Sequence, residues 1–93
     1  MLTIVTYDIS DNTTRNYLIK KLQSYGLYRI QKSVFAGNLS LKDRLDLAEE
    51  TASFLSSDKD SIILFPLCKS CKESILYDGE VYIPESDLKY RFL

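Results

Sequence analysis

Asp8 closes an apolar run, Leu2-Thr-Ile-Val-Thr-Tyr-Asp8, and so falls where the last side chain of a strand reaches the rim of a cleft. A carboxylate there can hold a divalent ion or brace the turn that follows. Ser10 and Asp11 are better placed to cap a helix, which leaves Asp8 open to the first role. Arg15 lies one to two helical turns on, close to a helix start where cations are disfavoured; it is either a partner of Asp8 or a surface arginine. Arg29, Gln31, Ser33 and Phe35 alternate along a strand-like segment and would share a face. Such a face offers a cation for phosphate and an aromatic ring for a base, or for the interface with a second copy.

The chain contains no histidine. That excludes Ser-His and Cys-His nucleophiles, His-ligated zinc and paired-His ribonuclease chemistry, and leaves carboxylates, metal, hydroxyls and arginine. Cys68-Lys-Ser-Cys71 cannot complete a four-ligand zinc site unless two chains pool their pairs. A redox pair would open a helix in a thioredoxin-like setting, which the pattern does not suggest; structural thiols are the reading for this pair.

The elements that must position these residues follow from periodicity. The first strand is Leu2 to Asp8, and a helix runs from Asn12 to about Tyr25, with Leu18 and Leu22 on one face and Gly26 as its left-handed stop. Tyr28 to Phe35 is strand-like with a break expected near Lys32-Ser33. Ser40 and Asp43 resemble a capping box ahead of a second helix, whose apolar stripe is read as Leu41, Leu45, Ala48, Ala52 and Leu55. Ser61 to Leu67 reads as a strand whose Pro66 suggests that its far end lies at an edge or leaves the sheet. Asp78-Gly79 is a turn between strands at Ser74–Tyr77 and Val81–Ile83, with a last short strand at Leu88–Phe92. The order is that of an α+β, ferredoxin-like βαββαβ antiparallel sheet with two helices on one face. Its other face is left for a substrate or a second subunit.

At 93 residues the chain is one domain spanning 1–93. Twelve basic against thirteen acidic residues give no overall positive field, so any nucleic-acid contact needs a local patch, for which Lys20, Lys21, Lys42 and Arg44 are candidates. No apolar run approaches the roughly 18 residues of a membrane span and no cleavable leader is evident, so a cytoplasmic protein without a membrane partner is expected.

Two stretches carry a family resemblance: Tyr7-Asp8-Ile9-Ser10-Asp11 with Arg15, and Gly26-Leu-Tyr-Arg29-Ile-Gln31-Lys-Ser33-Val-Phe35-Ala-Gly37. Together with Pro66-Leu-Cys68 and Cys71 they resemble the CRISPR-associated protein 2 family over nearly the whole chain. The resemblance implies a ferredoxin-like homodimer completed by the last strand. It also implies a partner, the integrase CRISPR-associated protein 1, in the capture of spacer DNA, and in some members metal-dependent cleavage of RNA or DNA. In the family, the first-strand aspartates of two subunits share a metal. Asp8 matches that position; Tyr7, Arg15, Arg29, Ser33 and Phe35 match others associated with activity. Mg²⁺, with Mn²⁺ as a substitute, suits a site of carboxylates, waters and phosphate oxygens. Activity is then expected to rise toward alkaline pH and to vanish with a chelator.

Overall fold

The computed structural model describes residues 1–81. Its elements are β1 (Leu2–Asp8), α1 (Asn12–Ser24), β2 (Tyr28–Gln31), β3 (Val34–Asn38), α2 (Leu41–Thr51), a 3₁₀ turn (Ala52–Phe54), β4 (Ser61–Leu67) and α3 (Lys69–Glu73). The sheet order is β2-β3-β1-β4 and every neighbouring pair is antiparallel. With α1 and α2 on one face, this is the ferredoxin-like architecture expected from the order of elements.

Local chemistry sets the ends of α1. Asp11 takes the N-cap, its carboxylate accepting from Thr14 N at 2.8 Å and Thr14 Oγ1 at 2.7 Å. At the other end Gly26 adopts φ +83°, Gly26 N donates to Gln23 O and Leu27 N to Leu22 O, which is the Schellman closure. Leu27 and Leu22 are both buried, so the hydrophobic contact of that motif is in place. Ser40 caps α2 through Asp43 N at 3.1 Å.

Strand alternation divides the interior. Val5, Tyr7, Phe35, Ile62 and Leu64 face the helices and meet Leu18, Leu22 and Leu47. On the other face Leu2 and Ala36 are buried beneath Ile75, Tyr77 and Val81, the stretch that follows α3, while Ile63 and Phe65 stay about half exposed. Among the described residues, the open face is therefore covered at the Leu2 end and bare toward Asp8.

Three expectations are corrected. The stripe of α2 that meets the core is Leu47 and Thr51, continued by Phe54, whereas Leu41, Leu45 and Leu55 are exposed. Two stripes fit a 3.6-residue period here, and the one richer in leucine points outward. The expected strand at Ser74–Tyr77 is absent; a five-residue helix forms first, and the chain then runs irregularly to a bend at Gly79, φ +92°, which joins no pair of strands among the described residues. Val81 belongs to no strand, and Ile83 and the last strand at Leu88–Phe92, the one expected to complete a dimer, lie outside the described residues. Third, Phe35 is fully buried among the helix-side residues and presents nothing to a base or a second copy.

Candidate active site

The break expected at Lys32-Ser33 is a hairpin turn, with an irregular register between Arg29 and Gln31. The turn folds β2 back so that Arg29 sits opposite Phe35, and the Arg29 guanidinium lies 5.9 Å from the Phe35 ring centre. Ser33 thus belongs to the hairpin tip and not to a strand face. That tip is held by four hydrogen bonds, two from Tyr7 of β1 and two from Arg29 of β2. Tyr7 N donates to Ser33 O, and the Lys32 carbonyl accepts from Tyr7 Oη at 3.1 Å and from Arg29 Nε and Nη2 at 3.1 and 2.6 Å.

Asp8 is exposed at the end of β1, opposite Ser61 of β4. Around it a cavity of about 280 Å³ is lined by Asp8, Ile9, Arg15, Arg29, Lys32 and Ser33. Arg15 reaches in from α1, with Nη1 donating to Ile9 O at 2.9 Å and Nη2 to Asn12 Oδ1. Four of the six residues singled out from sequence therefore converge: Asp8, Arg15, Arg29 and Ser33. The other two, Tyr7 and Phe35, are buried beside one another with ring centres 6.2 Å apart, and they shape the hairpin from within the core.

Two features escaped the sequence. Lys32 adds a third cation to the cavity, so the local positive patch consists of Arg15, Arg29 and Lys32; a lysine at the tip of a hairpin that folds toward the end of β1 was the available signal. Two of the expected set are engaged in ion pairs, Lys42 with Asp46 at 2.7 Å and Lys21 with Glu50 at 3.8 Å, and among the described residues Arg44 Nε is buried without a partner. The second omission is Asp60. Its carboxylate accepts from Ser10 N and Oγ, from Ser56 N and Oγ, and from Ser57 Oγ, at 3.0–3.1 Å throughout. The amides of Ser56 and Ser10 hold this carboxyl far below its ordinary range. Asp60 thereby fastens the loop after Asp8 to the loop before β4.

Among the described residues, a divalent ion would find one carboxylate per chain lining this cavity. Among the described residues no three acidic or cysteine side chains cluster as a metal cage. Mg²⁺ uses one or two carboxylates and completes its shell with waters and phosphate oxygens, so Asp8 at the rim of a cationic cavity fits such an ion with substrate present.

Residues 1–75 match the family model described as CRISPR associated protein Cas2. The chain belongs to the Cas2 family. A relative from Archaeoglobus fulgidus, named CRISPR-associated endoribonuclease Cas2 1, is 42% identical over 76 residues, covering 82% of this chain and 81% of that protein. One from Thermofilum pendens, named CRISPR-associated endoribonuclease Cas2, is 32% identical over 91 residues and 97% of each chain. Among solved structures, a Thermus thermophilus hypothetical protein, TT1823, superposes with a TM-score of 0.65 at 36% identity, over 72% of this chain and 80% of that one. Streptococcus pyogenes Cas2 shares the Cas2 fold at a TM-score of 0.69 and 24% identity, over 81% and 95% of the two chains. No helix among the described residues is long and apolar enough to cross a membrane.

Proposed function

We propose that this Cas2 family member is a metal-dependent endonuclease cleaving phosphodiester bonds of RNA or DNA. The observation carrying this reading is the exposed Asp8 carboxylate set among Arg15, Arg29, Lys32 and Ser33 around one cavity. Asp8 would hold Mg²⁺ or Mn²⁺, with the Asp8 of a second copy supplying another carboxylate across a homodimer. The ion supplies polarisation of the phosphate and a more acidic water. The chain's own cations do the rest. Arg15 and Arg29 are fixed in advance by the Ile9 and Lys32 carbonyls, so their positive charge stands ready for the phosphate without reorganisation. Lys32 and Ser33 line the same wall and suit the backbone oxygens on either side of the bond.

A second reading has its own support. One carboxylate per chain, with both arginines donating to main-chain carbonyls, also suits a dimeric scaffold. Such a scaffold would track duplex DNA and bridge subunits of the CRISPR-associated protein 1 integrase during spacer acquisition. Wild type and Asp8→Ala separate the two when assayed for cleavage of single-stranded RNA and duplex DNA with Mg²⁺, Mn²⁺ or chelator, and for integration with the partner integrase. The nuclease reading expects cleavage that rises with pH, stops with chelator and is lost in Asp8→Ala. Metal-independent cleavage, or cleavage undiminished in Asp8→Ala, refutes it. Integration that survives in Asp8→Ala supports the scaffold role.

A further inference from the structure

The two cysteines lie at the opposite end of β1 and β4 from Asp8, since Leu67 pairs with Leu2 and Ser61 with Asp8. Both are free and exposed. Cys68 occupies the N-cap of α3 with extended backbone (φ −70°, ψ 171°), and Lys72 N closes the turn onto Cys68 O at 2.9 Å. The pair therefore does open a helix, although one that follows β4 and not the first strands of the fold. Cys68 and Cys71 lie within hydrogen-bonding reach of one another, the Cys71 amide and thiol both acting on the Cys68 sulfur. A modest rotation brings such sulfurs together, because a disulfide spans Cα atoms roughly 4.4–6.8 Å apart.

The thiols are unequal. Ser70 Oγ lies 3.5 Å from Cys68 Sγ, and this hydroxyl, followed by the Cys71 amide and thiol, holds the Cys68 thiol down to about 7. Cys68 in turn pushes Cys71 upward. Lys69 and Lys72 extend from the same helix into a shared cavity with Leu2 and Leu67, and Glu73 follows them. With five residues α3 contributes little dipole, so the asymmetry is local hydrogen bonding. An attacking thiol works best when its pKa is near the ambient pH, and a resolving thiol can wait protonated.

We infer that Cys68-Lys69-Ser70-Cys71 is a thiol–disulfide exchange site that takes low-molecular-weight disulfides such as glutathione disulfide, with Cys68 attacking and Cys71 resolving. The Cys68 thiolate attacks one sulfur of the disulfide, whose S–S bond breaks; the leaving thiolate takes up a proton and a mixed disulfide remains. Cys71 gives its proton to solvent and attacks Cys68 Sγ, releasing the second thiolate, which is protonated in turn. Two protein thiols are oxidised by two electrons, and one disulfide is reduced to two thiols. The stretch after α3 runs onto the sheet, so the exchange takes place at the root of the segment that covers Leu2 and Ala36.

The full chain, reduced and then equilibrated in glutathione buffers of graded poise, tests this by mass spectrometry. Lys69 lets trypsin separate the two cysteines into different peptides. The expected results are one intramolecular disulfide per chain, a single glutathione adduct at Cys68 in Cys71→Ser, and pulse alkylation at pH 7 roughly five- to tenfold faster at Cys68 than at Cys71. Equal alkylation rates overturn the assignment, as does an adduct formed first at Cys71. Thiols that stay reduced at every poise while remaining open to alkylation also overturn it. So does half an equivalent of zinc per chain that shields both thiols.

Discussion

Phe35 offers a direct test of whether a position that the family resemblance ties to activity would act by contact or through the core. It is fully buried, beside Tyr7 with ring centres 6.2 Å apart and beneath the Arg29 guanidinium. Truncating such a ring removes its transfer free energy and leaves a cavity, about 3–5 kcal/mol for Phe→Ala. In a domain of this size 1 kcal/mol moves Tm by roughly 4–8 °C, so Phe35→Ala should melt about 15–30 °C lower. Phe35→Leu keeps most of the volume and loses chiefly the ring contacts, about 1 kcal/mol and a drop of about 5 °C. Both variants should be melted at one protein concentration, and nuclease activity measured well below the lower midpoint. Phe35→Leu should then retain most of its activity. If Phe35→Leu keeps a native melt but loses cleavage, the ring contacts substrate and the burial argument is wrong.

Acid stability should depend on Asp60. The carboxyls of Asp60 and Asp11 are held below their ordinary 3.8 by amide hydrogen bonds present only in the folded chain. Their stabilisation is complete above about pH 5 and declines as pH falls below 3.8; melting curves from pH 7 to 2 should show Asp60→Asn with a shallower acid decline. On α2, Leu47→Ala should cost about 2–5 kcal/mol and Leu45→Ala less than about 0.5, read from urea midpoints; the reverse order would restore the outward stripe to the core. A Cβ at Gly37 would stand 2.7 Å from Leu27 Cδ2 and 3.1 Å from Gly26 O, so Gly37→Ala should be destabilised by about 1–3 kcal/mol in the same titration.

The parts readable from sequence were those written in local chemistry. Asp11 caps α1, Gly26 ends it, Ser40 starts α2 and the turn at Lys32-Ser33 splits the second strand region. Each rests on contacts within a few residues. What the sequence misassigned depends on partners distant along the chain. Leu45 and Leu47 are equally apolar, and only the docking of α2 decides which is inside. Phe35 looked available because alternation was carried through the hairpin without the core that receives it. The fastening made by Asp60 was invisible because one of its partners, Ser10, is fifty residues away. Asp8, Arg15, Arg29 and Ser33 were legible as separate residues, and the hairpin supplied their convergence.

The Lys32 carbonyl, which accepts from Tyr7 and twice from Arg29, is main chain and so is present whatever side chain occupies position 32. Substituting Lys32 would remove a charge from the cavity and leave this junction whole. The junction can be weakened only through its donors. Tyr7→Phe and Arg29→Ala should accordingly combine more than additively, because in either single variant the remaining donor still satisfies the same oxygen. A mutational survey would thus assign to Tyr7 and Arg29 an importance that belongs in part to an atom no codon specifies.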